Sequence, residues 1–148
     1  MSVTPISRRH FVLSAGVALT AAQATHVMGA NDRIRVGIVG LGGRGKDHMD
    51  LYLAAPGAEI AALCDVDQAA LERGTAYVVG HGHAKPREHS DMRGVFADAS
   101  VDAVSMPLPN HWHALSTIWA CLAGKDVYIE KPASHNVFEG QRLVEAAR

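Results

Sequence analysis

The apolar positions of this chain alternate between two rhythms. Short runs dense in aliphatic and β-branched residues read as strands, and stretches whose apolar residues return every three or four positions read as helices. Arg33–Val39 is the first strand-like run. A helix follows from Lys46 to Ala55, with Met49 and Leu53 one turn apart and Leu51 and Tyr52 nearby. Glu59–Cys64 is a second strand. Gln68–Val79 is helical, with Asp67 placed to cap it and Ala69, Ala70, Leu71, Tyr77 and Val78 as its buried face. Gly80–Pro86 breaks the pattern and reads as an exposed loop. Ser90–Phe96 reads as a short helix capped by Ser90 or Asp91, and Asp98-Ala99-Ser100 as a turn. Val101–Met106 is a third strand, ended by Pro107-Leu108-Pro109. His111–Ala123 is a helix stopped by Gly124, and Asp126–Glu130 is a strand ended by Pro132. A last helix starts near Asn136 and is expected to run past Arg148. Strands and helices alternate throughout, which predicts an α/β fold: a parallel sheet with helices on both faces.

Between the first strand and the first helix stands Gly40-Leu41-Gly42-Gly43-Arg44-Gly45. This is G-x-G-x-x-G in the place where it carries a mechanism. Gly40 suits a tight turn out of the strand. Gly42, without a Cβ, lets a pyrophosphate approach the backbone. Gly45 lets the helix pack closely on the sheet. The free N–H groups of that helix's first turn would then face phosphates. An acidic residue is due about 20 residues further on, and Asp65 stands 20 residues after Gly45, at the end of the second strand. The sheet is therefore expected to be of the Rossmann type, doubly wound, binding a dinucleotide.

Composition narrows the class. The 148 residues suffice for one domain and are few for a typical two-domain enzyme. Hydrophobic residues are 48% and charged residues 20%, which is globular rather than disordered. A formal net charge of −1 gives no basic field for nucleic acid. Cys64 and Cys121 form no disulfide framework and no C-x-x-C site, and they read as buried reduced thiols. His81, His83 and His89 have no helical pairing and no clustered carboxylate or cysteine beside them, so no metal is expected there.

Ser7-Arg8-Arg9-His10-Phe11 precedes an apolar run, Phe11–Ala22, too short to span a bilayer. Ala22-Gln23-Ala24 then offers small residues at a signal-peptidase spacing. Charged start, apolar middle and small-residue end read as an export signal, and the paired arginines resemble the twin-arginine type. Residues 1–30 are thus expected to be signal and linker, cleaved near Ala24. Export by the twin-arginine translocase would leave a periplasmic or otherwise extracytoplasmic product with no stable membrane anchor. Residues 31–148 are the expected dinucleotide-binding domain. The terminal helix has neither a capping glycine nor a returning strand after it, which suggests a truncated domain.

Ligands of such sheets bind outside the carboxyl ends of the strands. Besides the glycine turn and Asp65, two more strand ends carry unusual residues: Pro109-Asn110-His111-Trp112-His113 and Glu130-Lys131-Pro132. Together with Ala123-Gly124-Lys125-Asp126-Val127, this ordered set resembles the Gfo/Idh/MocA family of oxidoreductases, over residues 33–148. Its exported branch with a twin-arginine signal is the nearer likeness.

The resemblance implies an NAD(P)-dependent oxidoreductase acting on a sugar or cyclitol hydroxyl. By position, Gly43 and Arg44 would meet the pyrophosphate, and Asp65 the adenosine ribose, favouring NAD over NADP. Asn110, His113 and Glu130 would line the nicotinamide half, and Lys131 would be the active-site acid/base. Homo-oligomerisation is compatible with this reading. Pro107-Leu108-Pro109 departs from the small residue or threonine usual before the motif's proline. The family's second, substrate-binding α+β domain has no counterpart in these residues. Two other functions are compatible with these motifs. One is the related branch of NAD-dependent glycosidases, which resembles Trp-Glu-Trp-His where this chain has Asn110-His111-Trp112-His113 and lacks the lysine at the position of Lys131. The other is a non-catalytic nucleotide-binding module.

Overall fold

The computed structural model describes residues 33–148, so the export-signal reading of the first thirty residues lies outside the described part. Five strands form one parallel sheet: β1 (Ile34–Val39), β2 (Ala58–Cys64), β3 (Arg87–His89), β4 (Ala103–Met106) and β5 (Asp126–Ile129). Their order across the sheet is β3-β2-β1-β4-β5. Five helices connect or follow them: α1 (Gly43–Ala54), α2 (Gln68–Gly80), α3 (Met92–Ala97), α4 (Asn110–Leu122) and α5 (Val137–Ala146). This is the Rossmann-type doubly wound sheet that the alternation predicts.

Both faces of the sheet are covered, which is why β1 and β2 read as almost unbroken apolar runs. On one face Val36, Ile38, Ile60 and Leu63 pack with Met49, Leu71 and Val78 from α1 and α2. On the other, Val39, Ala62, Cys64, Val104 and Met106 pack with Val95, Phe96 and Ala120 from α3 and α4. Each fully buried aliphatic side chain contributes roughly 1.5–3 kcal/mol. The register of β1 on β2 slips once, between Val36 and Gly37, where Ala61 is passed over. Cys64 is buried and Cys121 half-buried, both free thiols.

Several boundaries differ from the sequence reading. The first helix begins at Gly43, not Lys46, so the glycine turn and the helix share three residues. Leu51 points to solvent at 64% exposure. α2 buries Ala70, Leu71 and Val78 but not Ala69, and Asp67 caps it by accepting from the Ala69 N–H at 2.9 Å. Asp91, not Ser90, caps α3. β4 starts at Ala103; just before it, Asp102 donates its N–H to the Arg35 carbonyl at 2.8 Å and its carboxylate accepts from the Arg35 guanidinium, with Nη2 at 2.6 Å and Nε at 2.9 Å. The final helix stops at Ala146. β3, Arg87-Glu88-His89, is a strand where the sequence pattern predicts none.

α5 buries no residue fully and leaves Val137, Phe138 and Val144 exposed. Its start is fixed by a reciprocal cap: Asn136 accepts from the Glu139 N–H at 2.9 Å, while Glu139 accepts from the His135 N–H at 2.8 Å. No described helix is long and apolar enough to cross a membrane.

Candidate functional site

The strand order reverses direction at β1, between β2 on one side and β4 on the other. Outside the carboxyl ends of the strands there opens a cleft of about 830 Å³. This is where the topology of a doubly wound sheet places ligands.

The glycine turn forms its floor. Gly40 has φ of +97°, a conformation that residues with a Cβ rarely adopt, and its N–H donates to the Cys64 carbonyl at 2.8 Å. A Cβ on Gly45 would lie 2.2 Å from the Gly40 carbonyl oxygen, so α1 can start this close to β1 only with glycine there. At Gly42 and Gly43 the geometry is the opposite: a Cβ would meet nothing within 4 Å. Both line the open cleft, as do Gly40 and Arg44. Gly42 caps α1 without a side chain to satisfy the first-turn N–H groups. The cradle is therefore a backbone surface with a positive helix end, suited to an anion.

Asp65 closes one side. Its carboxylate accepts from the Leu41 N–H at 2.7 Å and the Asp67 N–H at 3.0 Å, tying the end of β2 to the glycine turn. Beside it, the β3–α3 connection contributes Ser90, Asp91, Met92 and Arg93, none of which the sequence pointed to. Asp91 is paired with Arg93, whose guanidinium holds the Asp91 carboxyl down at about 2. The opposite wall is Pro107-Leu108-Pro109 with Trp112 and Trp119 of α4.

The end of β5 meets the glycine turn through a chain of polar contacts. Oε1 of Glu130 accepts from Arg44, with Nη2 at 2.7 Å and Nε at 3.1 Å, and lies 3.0 Å from Nε2 of His48. Nδ1 of His48 is 2.8 Å from Oγ of Ser105. His48 and Arg44 together hold the Glu130 carboxyl below the usual carboxylate range, and Glu130 with Asp47 raises the Arg44 guanidinium further. The order serine, histidine, carboxylate is that of a hydrolytic triad. However, Ser105 is 0% exposed and His48 1%, so no substrate reaches the hydroxyl. The chain is a brace between helix and sheet. His48 escaped the sequence reading; its only mark there was a polar residue where α1 needs a buried one.

The remaining sequence-predicted residues are placed differently from the cradle. Lys131 is exposed at the β5 end, and its peptide bond to Pro132 is cis. Asn110 is the exposed first residue of α4. His113, which the resemblance puts on the nicotinamide half, is buried at 2% exposure. Its Nδ1 lies 2.6 Å from the Pro132 carbonyl oxygen and its Nε2 2.7 Å from that of Leu108. Both ring nitrogens are thus taken up in clamping the β4 and β5 loops together, so His113 shapes the wall from behind. Lys125 does a similar job below, donating to the carbonyls of Asp98 and Val101 at 2.7 Å each. The structure gathers Gly40, Gly42, Gly43, Arg44 and Asp65 around one cleft, with Gly45 beneath and Glu130 joined through Arg44. Asn110, His113 and Lys131 do not line it. Among the described residues no group of three or more His, Cys, Asp or Glu is placed to hold a metal.

Residues 34–148 match the oxidoreductase family with an NAD-binding Rossmann fold, Gfo/Idh/MocA. The chain belongs to this family. A curated relative, a glycosyl hydrolase family 109 protein of Saccharopolyspora erythraea, is 35% identical over 122 residues, which are 80% of this chain and 27% of that protein. Among solved structures, KijD10, a 3-ketoreductase from Actinomadura kijaniata in complex with NADP and TDP-benzene, superposes with a TM-score of 0.69 at 27% identity. The alignment covers 78% of this chain and 34% of that one. The WlbA dehydrogenase from Bordetella pertussis, in complex with NADH and UDP-GlcNAcA, superposes with a TM-score of 0.67 at 29% identity, with the same coverage of 78% and 34%. The chain therefore spans about a quarter to a third of the length of these relatives. Within the Gfo/Idh/MocA family it corresponds to the nucleotide-binding Rossmann domain.

Proposed function

We propose that the protein is an NAD(P)-dependent oxidoreductase moving a hydride between the nicotinamide and a hydroxyl of a sugar or cyclitol. The observation that carries this is the cradle itself. Gly45 is closed to any side chain, while Gly42 and Gly43 are open toward a cleft of dinucleotide size. That pattern fits a pyrophosphate: backbone N–H groups approach it at Gly42 to Arg44, and Asp65 takes the adenosine ribose. NAD is preferred to NADP, because Asp65 repels a 2′-phosphate and neither Val66 nor Asp67 offers a cation. When bound, the nicotinamide supplies or accepts the hydride.

The chain's own residues do the rest. Glu130 orders Arg44 at the cradle's edge. The family resemblance assigns Asn110 and Glu130 to the nicotinamide half, although Asn110 stands exposed at the start of α4 and Glu130 reaches the cleft through Arg44; His113 holds together the loops beside them. Lys131 is the acid/base that gives or takes the hydroxyl proton. Being exposed at the strand end, it is free to reach a substrate. A second domain supplies the remaining substrate contacts. The test is Lys131→Met in the full-length protein, assayed with a panel of sugars and cyclitols and for NAD affinity. Turnover falls by about 10²–10⁴-fold with NAD affinity nearly intact. Near-normal turnover removes Lys131 from the mechanism, and a collapse of affinity alone makes it a cofactor clamp.

A second reading is a glycosidase that uses tightly held NAD, favoured by the name of the 35% identical curated relative. Lys131 and the Asn110-His111-Trp112-His113 stretch speak for the oxidoreductase. Release of aglycone from a glycoside without net NADH formation would decide for the glycosidase. We also read residues 1–30 as a twin-arginine export signal, cleaved near Ala24, that delivers the protein outside the cytoplasm.

A further inference from the structure

The cleft holds a cation that the two positions after Asp65 lack. Among the described residues that line it, Arg44 and Arg93 carry positive side chains. Arg44 belongs to the glycine turn, where Glu130 and Asp47 hold it. Arg93 belongs to α3, on the Asp65 side. His89 of β3 stands opposite Cys64 of β2, and the Asp65 N–H donates to the His89 carbonyl at 3.2 Å. Asp65 and the Ser90–Arg93 stretch therefore leave the same edge of the sheet side by side, and Asp65, Asp91 and Arg93 all line the cleft. Burial, and after it the charges of Asp65 and Asp91, push the Cys64 thiol up to about 12, so the two carboxylates act on one small region.

Arg93 is already engaged. Its Nε donates to both carboxylate oxygens of Asp91 at 3.0 Å, and its Nη2 donates to Oδ2 as well. The same carboxylate caps α3 by accepting from the Arg93 N–H at 2.9 Å. Because the guanidinium holds the Asp91 carboxyl down at about 2, the pair stays fully charged at neutral pH. The two side chains are 71% and 50% exposed, so the pair adds little to stability. What it changes is the charge offered to a ligand. Asp65 and Asp91 together with Arg93 leave one net negative charge, whereas Asp65 and Arg93 alone would balance. A ribose hydroxyl tolerates the negative balance. A phosphate monoester, with a charge of about −1.5 to −2, is repelled by it.

We infer that Asp91 is a determinant of cofactor choice: by neutralising Arg93 it withholds that cation from a 2′-phosphate, and with Asp65 it excludes NADP. This rests on the reading of the cleft as a dinucleotide site with Asp65 at the adenosine ribose. Asp91 acts through Arg93 and is a positioning residue.

The test is calorimetry of NAD and NADP binding to the full-length protein, to Asp91→Asn and to Asp91→Asn combined with Arg93→Gln, each at low and high salt. Asparagine caps a helix as well as aspartate does, so α3 keeps its start while Arg93 loses its counter-charge. In Asp91→Asn the affinity for NADP relative to NAD rises by about tenfold, the order that one charge contributes at a partly exposed site, and added salt shrinks the gain. Arg93→Gln on top of it returns the ratio to near the parent's value. A merely structural role would weaken both nucleotides alike and leave the ratio unmoved. Asp91→Ser, which also caps, replaces the asparagine variant should that one not fold. An unchanged ratio on loss of the Asp91 carboxylate, a gain that survives loss of Arg93, or a parent protein that already binds NADP as tightly as NAD overturns the inference and leaves the dinucleotide site standing. Failure to bind either nucleotide overturns it together with the cofactor reading.

Discussion

The two kinds of glycine in the fingerprint separate when each is given a methyl group. At Gly45 the new Cβ would stand 2.2 Å from the Gly40 carbonyl oxygen and 3.0 Å from its carbon, both backbone atoms. Neither can rotate aside, so α1 must lift off β1 or the Gly40 turn must open. Overpacking of this kind costs about 1–3 kcal/mol, and the upper end applies where the obstacle is backbone. At Gly42 the new Cβ meets nothing within 4 Å, and φ is −64°, an ordinary value for alanine. Two small effects oppose each other there. Alanine is a poorer N-cap than glycine, by somewhat under about 1 kcal/mol. It also lowers the entropy of the unfolded chain, gaining about 0.4–1 kcal/mol. The net change in stability is within roughly 0.5 kcal/mol. Binding behaves in reverse. A methyl group at Gly42 stands in the anion's approach, and losing one charge-assisted hydrogen bond, about 1.5–3 kcal/mol, weakens NAD by about 10–100-fold. Thermal or urea unfolding of Gly42→Ala and Gly45→Ala beside the parent, with NAD titration of each folded variant, makes the comparison. Equal stability loss in both, or unchanged NAD affinity in Gly42→Ala, refutes the assignment of one glycine to the fold and the other to the ligand.

Other consequences can be measured separately. Asp65→Ala weakens NAD more than NADP, read by calorimetry with both nucleotides; an equal effect on the two would detach Asp65 from the choice of cofactor. Arg35 holds the Asp102 carboxyl down at about 2, below its unfolded value near 3.9. Stability from this pair is therefore complete above about pH 4 and drains away as pH falls toward 2, and Asp102→Asn removes that part of the acid limb in urea titrations. Replacing Arg8 and Arg9 together with lysine traps uncleaved precursor inside cells; a mature N-terminus near residue 25 in that variant would argue against the twin-arginine route.

Wherever one residue's chemistry decided a local conformation, the sequence made it readable. The glycine turn, the carboxylate after β2, the Asp67 cap and the stop at Gly124, where φ is +73°, all announce themselves in single residues. What stayed hidden was decided by neighbours distant in the chain. β3 is Arg87-Glu88-His89, an edge strand without one apolar residue. It is a strand because its backbone pairs with Ala62, Leu63 and Cys64, and no hydrophobic rhythm can signal that. The helix start at Gly43 was obscured because three glycines read as turn. His48 looked like any polar residue on a helix until β4 and β5 closed around it. His113 looked like a cleft residue from its motif, but the carbonyls that capture it belong to residues 5 and 19 positions away. Met92 and Arg93 join the cleft only because β3 lies beside β2.

The central claim is that this cleft holds a nicotinamide dinucleotide, and the chain carries its own reporter for it. The sequence has two tryptophans, Trp112 and Trp119, and both line the cleft. NADH should be titrated into the full-length protein with excitation of tryptophan and detection of emission from the reduced nicotinamide. The account predicts saturable quenching of the tryptophans with matching sensitised nicotinamide emission, displaced by NAD. Tryptophan emission that stays unchanged while excess NADH is added would contradict it.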